Sequence, residues 1–253
     1  MSAAEFARKL RARERVVGYW VVLDNPIGTE RIARLGYDYV AVDAQHGLLG
    51  YSGLLNAMMA IDAGGGSVGL TRVEANDPAA IGHALDAGSG GVIVPLVDSA
   101  EDARAAVAAT RYPPRGRRSY GPMRSGLRIG PRPAAADESV VLLAMIETPQ
   151  GLANVREICA TEGIDGVYVG PSDLCLAVGG AFPGDPAVAE EFEQAVADVR
   201  EAAAEAGIAA GIHTPDGATA ARRLEQGYTF ASVACDLVHL ERVAGEHLEA
   251  AKS

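Results

Sequence analysis

Short apolar runs alternate with longer helix-forming stretches along the whole chain, and this alternation restricts the fold more than any other feature. The runs are Val16–Leu23, Tyr37–Asp43, Val68–Val73, Gly91–Val97, Val140–Glu147, Ile164–Gly170, Ile208–His213 and Tyr228–Ala234. Most are nearly continuous rather than alternating in polarity, the pattern of parallel strands covered on both faces. Between them Gly28–Leu35, Tyr51–Ala63, Pro78–Ala87, Ala100–Ala109, Gly151–Cys159, Pro186–Ala206, Asp216–Glu225 and Leu237–Ala251 favour helix. After Pro186, the residues Val188, Phe192, Val196 and Val199 fall three or four apart and make one apolar stripe. Asp77-Pro78 reads as an N-cap followed by proline in the first turn. Gly36, Gly64, Gly88, Gly163, Gly207 and Gly227 stand where helices should stop.

Strand–helix repeats over 253 residues, with no second composition zone, predict an α/β protein built as a single (β/α)8 TIM barrel. An open doubly wound sheet is the rival. For a dinucleotide-binding member it would carry a glycine-rich turn after its first strand, and Leu23-Asp24-Asn25-Pro26-Ile27-Gly28 is not one. The one long irregular stretch, Arg111–Glu138, carries Arg115, Arg117, Arg118, Arg124, Arg128 and Arg132 among glycines and prolines. Loops of that length are commonly functional, and this one is expected to serve the active site.

Composition removes several classes of function. A net charge of −11 argues against nucleic-acid binding and against attraction to an anionic membrane. The N-terminus lacks the apolar core of a signal peptide, and no apolar run approaches the roughly 20 residues that span a bilayer. Cys159, Cys175 and Cys235 show no zinc spacing and read as buried or half-buried thiols in a reducing cytoplasm. Lysine occurs only at Lys9 and Lys252, so an amine nucleophile inside the barrel is not expected.

Barrel enzymes carry their chemistry at the C-terminal ends of the strands. Those ends supply Asp43-Ala44-Gln45-His46-Gly47, Arg72, Glu147, Gly170-Pro171-Ser172-Asp173 and His213. Glu147 and Asp173 end adjacent strands, and two such oxygen donors suit magnesium or manganese, with water and a chelating substrate completing the shell. The alternative makes Glu147 a solvated loop acid and Asp173 a helix cap. Arg72 is expected to steady an enolate oxygen as charge develops, or else to pair structurally with a loop acid. His46 is a candidate acid–base group, and Asp86 a candidate orienter of its ring or a solvated helix-end acid. The helix opened by Gly170, Pro171 and Ser172 could bind a substrate carboxylate, and His213 could line the same pocket. His83, His239 and His247 read as structural or solvated.

Taken in order, these segments resemble the metal-dependent (class II) pyruvate aldolases of the HpcH/HpaI type, close to the 4-hydroxy-2-oxoheptanedioate aldolases. The resemblance is carried by Tyr37-Asp38-Tyr39-Val40-Ala41-Val42-Asp43-Ala44-Gln45-His46-Gly47, by Arg72-Val73 with Asp77-Pro78, and by Ala84-Leu85-Asp86-Ala87-Gly88. Gly91-Val92-Ile93-Val94-Pro95, Tyr112-Pro113-Pro114-Arg115-Gly116, Ile146-Glu147-Thr148 and Val169-Gly170-Pro171-Ser172-Asp173-Leu174 complete it. It implies a homohexamer of barrels working in aromatic or sugar-acid catabolism, with Mg2+, Mn2+ or Co2+ held by Glu147 and Asp173. It also implies Arg72 on the keto oxygen, and proton handling by His46 with Asp86. The implied reaction is reversible cleavage of a 4-hydroxy-2-keto acid into pyruvate, or hydroxypyruvate, and an aldehyde.

Three positions depart from the pattern. Gln45 replaces a common glutamate, Met145 a common glutamine, and Pro122 a small polar residue, each expected to alter substrate preference near the keto acid. Two other readings share this rim: a citrate-lyase-like lyase of acyl-CoA thioesters, and a barrel that binds a keto acid without turning it over.

Overall fold

The computed structural model describes every residue from Met1 to Ser253. Its strands are β1 Val16–Val21, β2 Tyr39–Asp43, β3 Val68–Arg72, β4 Gly91–Val94, β5 Val141–Ile146, β6 Gly166–Val169, β7 Ala209–Thr214 and β8 Phe230–Cys235. They pair in sequence order, all parallel, and β8 closes on β1 to complete a barrel. The predicted (β/α)8 architecture is therefore the one observed.

The helices are α1 Ala3–Arg11, α2 Pro26–Ala33, α3 Tyr51–Gly64, α4 Pro78–Asp86, α5 Ala100–Thr110, α6 Ser125–Arg128 and α7 Pro133–Ser139. They continue as α8 Pro149–Ala153, α9 Val155–Cys159, α10 Pro171–Ala177, α11 Ala189–Ala206, α12 Gly217–Glu225 and α13 Asp236–Lys252. Side-chain caps fix several starts: Asp77 accepts from the N–H groups of Ala79 and Ala80, Ser99 from Asp102, and Asp216 from Thr219. The stop expected at Gly64 falls one residue later. Gly65, at φ +74°, takes the left-handed position that a Cβ would strain. The helix expected over Gly151–Cys159 is broken at Asn154, and the one expected from Pro186 opens with a 3-10 turn over Pro186–Val188.

Two apolar layers hold the barrel. Between strands and helices lies a cluster of 44 buried residues that includes Val40, Val42, Val92, Val94, Leu142, Val167 and Ile212. Inside the barrel a second cluster contains Trp20, Tyr39, Leu70, Ile93, Leu143, Met145, Tyr168 and Phe230. Its floor is α1, whose Phe6, Ala7 and Leu10 are buried in that same cluster, with Phe6 edge-on to Tyr39. This helix was not anticipated. Its signal is the capping box in which Ser2 and Glu5 bond reciprocally to each other's backbone N–H.

The stretch Arg111–Glu138 is not one irregular loop. It contains α6 and most of α7, and it joins the end of α5 to the start of β5. A helix-to-strand connection returns the chain to the N-terminal rim, opposite the strand ends that carry chemistry. Four of its arginines are paired there: Arg111 bonds Asp165 at 2.7 Å, Arg118 bonds Asp86 at 2.7 Å, and Arg124 and Arg128 both pair with Asp62. Within one chain the stretch 111–138 therefore lies toward the rim opposite the strand ends. No helix is long and apolar enough to cross a membrane.

Candidate functional site

The C-terminal ends of the strands and the first turn of α10 enclose a cavity of about 240 Å³. Its walls include Trp20 from β1, His46 after β2, Arg72 from β3, Met145 and Glu147 from β5 and its end, Tyr168 from β6, and His213 from β7. Gly170, Pro171, Ser172 and Asp173 close it from the β6–α10 turn. A larger space of about 880 Å³ lies among Arg11, Arg104, Arg111, Glu138 and Asp165, away from the strand ends. Its central charges are already matched, Arg11 and Arg111 both bonding Asp165.

Asp43 organises one side of the cavity. It is 1% exposed and its strand neighbour in register is Arg72. Oδ1 accepts from Arg72 Nε at 2.9 Å, and Oδ2 accepts from Arg72 Nη2 and from the Trp20 indole N–H at 3.2 Å. Oδ1 also accepts the backbone N–H groups of Gln45 and His46, at 3.0 and 3.1 Å, which shapes the turn presenting His46. Burial alone would raise the Asp43 carboxyl, but the Arg72 hydrogen bond and charge outweigh it and hold it below its ordinary value. Arg72 therefore does pair with an acid, at the strand end rather than in a loop. Its guanidinium lies 5.2 Å over the Trp20 ring and still lines the cavity.

Glu147 is buried, 3% exposed. Its Oε1 accepts the Leu96 N–H at 3.0 Å, and its Oε2 has no hydrogen-bond partner. Leu96 makes that bond from a left-handed φ of +54°, a strained position for a branched side chain. Burial raises the Glu147 carboxyl to about 7; the Leu96 bond opposes this, Asp173 adds to it and Arg72 subtracts. Asp173, exposed in the first turn of α10, makes no hydrogen bond and does not cap the helix, whose N-cap Gly170 offers no side chain. No cluster of three or more His, Cys, Asp or Glu is arranged for a metal. What stands there is a carboxylate pair with an unpartnered, buried oxygen. That donor set fits a hard divalent cation that takes its remaining ligands from water and substrate.

His213 is the third polar wall. Burial, then the Arg72 charge, push its imidazole down to about 4 against the smaller opposing effect of Asp43. Its Nδ1 is buried without a partner, and its ring stands edge-on to Trp20 at 5.3 Å. Of the other histidines, His239 Nδ1 bonds the Tyr19 hydroxyl at 2.8 Å and His83 packs on Tyr51.

Strand-end reasoning thus brought together His46, Arg72, Glu147, Gly170, Pro171, Ser172, Asp173 and His213. Two predicted residues stand apart. Gln45 does not line the cavity, and its Oε1 is buried and unpartnered. Asp86 ends α4 and is bonded to Arg118, because α4 carries it back toward the N-terminal rim; within one chain it does not orient His46. Met145 is an apolar wall beside Glu147, whereas Pro122 is not part of the wall. Sequence reasoning placed Asp43 at a strand end without giving it a role, and missed Trp20, Tyr168 and Leu96. An acid as the last residue of an apolar run was the available signal for Asp43.

Comparisons with known proteins agree with this fold. Residues 16–242 match the family described as HpcH/HpaI aldolase/citrate lyase. The chain is similar to the hydroxypyruvate/pyruvate aldolase of Rhizorhabdus wittichii, 40% identical over 235 residues, 92% of this chain and 93% of that one. It is 38% identical over 236 residues to the 5-keto-4-deoxy-D-glucarate aldolase of Klebsiella pneumoniae, covering 92% of this chain and 91% of that one. Among solved structures, an HpcH/HpaI aldolase/citrate lyase family protein from Burkholderia cenocepacia superposes with a TM-score of 0.91 at 30% identity, over 99% of this chain and all (100%) of that one.

Proposed function

The chain belongs to the HpcH/HpaI aldolase/citrate lyase family, and from that premise we propose that it is a divalent-metal-dependent aldolase. Its reaction is the reversible cleavage of a 4-hydroxy-2-keto acid to pyruvate, or hydroxypyruvate, and an aldehyde. The observation that carries this reading is the meeting of Glu147 and Asp173 with Arg72 and His46 around one cavity.

Glu147 and Asp173 would hold the cation, Mg2+, Mn2+ or Co2+, through the unpartnered Oε2 and the free carboxylate of α10's first turn. When bound, the cation supplies Lewis acidity toward a keto oxygen. Arg72, locked by Asp43 in one orientation, presents a fixed positive charge to the oxygen that becomes negative as the C3–C4 bond breaks. Such a preset charge needs no reorganisation during the reaction. His46, exposed at the rim on a turn fixed by Asp43, is placed to exchange the 4-hydroxyl proton through water. Gly170, Pro171 and Ser172 shape the wall at the uncapped start of α10, where free N–H groups suit a carboxylate. Trp20 and Tyr168, stacked at 5.7 Å, close the floor and keep bulk water from the reacting carbons.

The test is enolisation without an aldehyde. Metal-stripped protein is placed with pyruvate in deuterated water, and the methyl signal is followed by proton NMR as each cation is restored. Metal-dependent loss of the methyl protons is expected. Absence of exchange with both pyruvate and hydroxypyruvate would defeat the reading.

A homo-oligomer accompanies this proposal. Helix α13 buries none of its residues and leaves Val238, Leu240, Val243 and Leu248 exposed, apolar surface that a neighbouring copy would cover. Mass measurement in solution tests the hexamer that the family resemblance implies.

A further inference from the structure

Three buried hydroxyl groups meet inside the barrel beneath the site cavity. Ser232 on β8 lies 2.9 Å from the Tyr39 hydroxyl and accepts the Tyr168 hydroxyl at 2.7 Å, and none of the three residues is exposed. The strands are shaped for this meeting. Gly18 on β1 is the register partner of both Tyr39 and Ser232, and a Cβ there would stand inside the Tyr39 ring. Its missing side chain lets that ring cross from β2 over β1 to β8. Tyr168 reaches Ser232 from the other side, from β6 past β7, where its own register partner is Gly211. Phenylalanines and an alanine would fill the interior with no polar group to satisfy. What the hydroxyls add is a fixed place for the end of each ring.

Of these three residues only Tyr168 lines the cavity. Its ring stacks on Trp20 with centroids 5.7 Å apart and planes 19° from parallel. Trp20 in turn donates its indole N–H to Asp43 at 3.2 Å and lies under the Arg72 guanidinium at 5.2 Å. A continuous line of contact thus runs from Ser232 through Tyr168 and Trp20 to the Asp43–Arg72 pair. Stacked rings tolerate a range of offsets, so stacking alone does not fix where one lies on the other. The Ser232 bond does, because it holds the far end of the Tyr168 ring. Burial pushes both phenols up, so the tether is neutral in the ordinary pH range.

Resting on the aldolase reading above, we infer that Ser232 is a positioning residue for the reaction. Without touching substrate, it tethers Tyr168 against Trp20 and so keeps the indole where it supports Arg72 and bonds Asp43. Loosening the tether lets the floor shift and leaves Arg72 less well aimed at the oxygen on which charge develops, a fault felt in the transition state more than in binding.

The experiment compares Ser232→Ala with Tyr39→Phe, which removes a hydroxyl from the same cluster on the side away from Trp20. Each is read by pyruvate methyl exchange with Mn2+ present and by fluorescence of Trp20, the chain's one tryptophan. Ser232→Ala is expected to lower the kcat of exchange by about tenfold, the scale of a small misplacement, with the KM for pyruvate little changed. Its Trp20 emission should move to longer wavelength and be quenched more readily by acrylamide. Tyr39→Phe should lose stability but keep both the native kcat and the native emission. Tyr168→Phe, which cuts the tether from its other end and leaves Ser232 with Tyr39, should reproduce the Ser232→Ala pattern, and it carries the test if Ser232→Ala does not fold. Native kcat and emission in folded Ser232→Ala or in Tyr168→Phe, or an equal fall in kcat in Tyr39→Phe, would overturn the inference. The two levels separate in the native chain: exchange there with an indifferent Ser232→Ala sinks only the positioning role, and no exchange there sinks the aldolase reading with it.

Discussion

Asp43 and Arg72 are register partners on adjacent strands, and the carboxylate of one holds the guanidinium of the other through two separate nitrogens. Both side chains are nearly sequestered, so the pair is a fixed part of the cavity wall rather than a surface contact. Removing one member leaves the other buried without compensation, at a cost of about 3 kcal/mol. Asp43→Asn is expected to lower stability by that order and to slow turnover by about 100-fold, since a misdirected Arg72 no longer meets the developing charge. Thermal unfolding and pyruvate exchange measure the two effects. Near-normal exchange in this variant would remove Asp43 from Arg72's function.

Gly170 separates Glu147 from the start of α10 by the space of one missing methyl group. A Cβ there would collide with Glu147 Oε2, the same oxygen that lacks a partner. Gly170→Ala is therefore expected to rotate the carboxylate away and weaken cation binding by about tenfold or more, the scale of disturbing a ligand's support. Calorimetric titration with Mn2+ reads the change. Unaltered affinity would show that Oε2 is not a ligand.

The barrel was legible because its strands are covered on both faces and so appear as plain apolar runs, as at Val40–Val42 and Leu142–Ile146. Arg72, Glu147, Asp173, His46 and His213 were legible for a related reason: strand order and strand direction fix which rim each occupies. The positions of Asp86 and the arginines of 111–138 were not legible, because a motif records proximity along the chain. Their places at the end of α4 and between α5 and β5 send them to the other rim. Asp43 was hidden differently. Its role lies in five hydrogen bonds across three elements, none of which spacing displays.

Cation removal offers a direct check on the carboxylate pair. With chelator present, pyruvate exchange should fall to background and return on adding Mg2+, Mn2+ or Co2+ in turn. Glu147→Gln keeps the Leu96 N–H acceptor but loses the charge, so exchange should stay low at any cation concentration that restores the native enzyme. Full recovery by Glu147→Gln would assign the cation to other groups.

His213 gives the fold a pH dependence of determinate sign. Its imidazole is held down at about 4 in the folded chain, against an ordinary value of 6.5, by burial and by the Arg72 charge, with Asp43 opposing. Between those two values the unfolded chain binds a proton that the folded chain refuses. The stability contributed by neutral His213 is thus full above the upper value and drains away as pH falls toward the lower one. Its partial exposure reduces the full linkage energy, leaving about 2 kcal/mol. Acid titration of the many carboxylates also lowers stability, so the readout is a difference: denaturant unfolding of the native chain and of His213→Gln, each at about pH 7 and about pH 4. The native chain should lose about 2 kcal/mol more than the variant over this interval. Equal losses would mean that His213 takes up its proton in the folded state as readily as in the unfolded one, and that the cavity wall tolerates a charged imidazole beside Arg72.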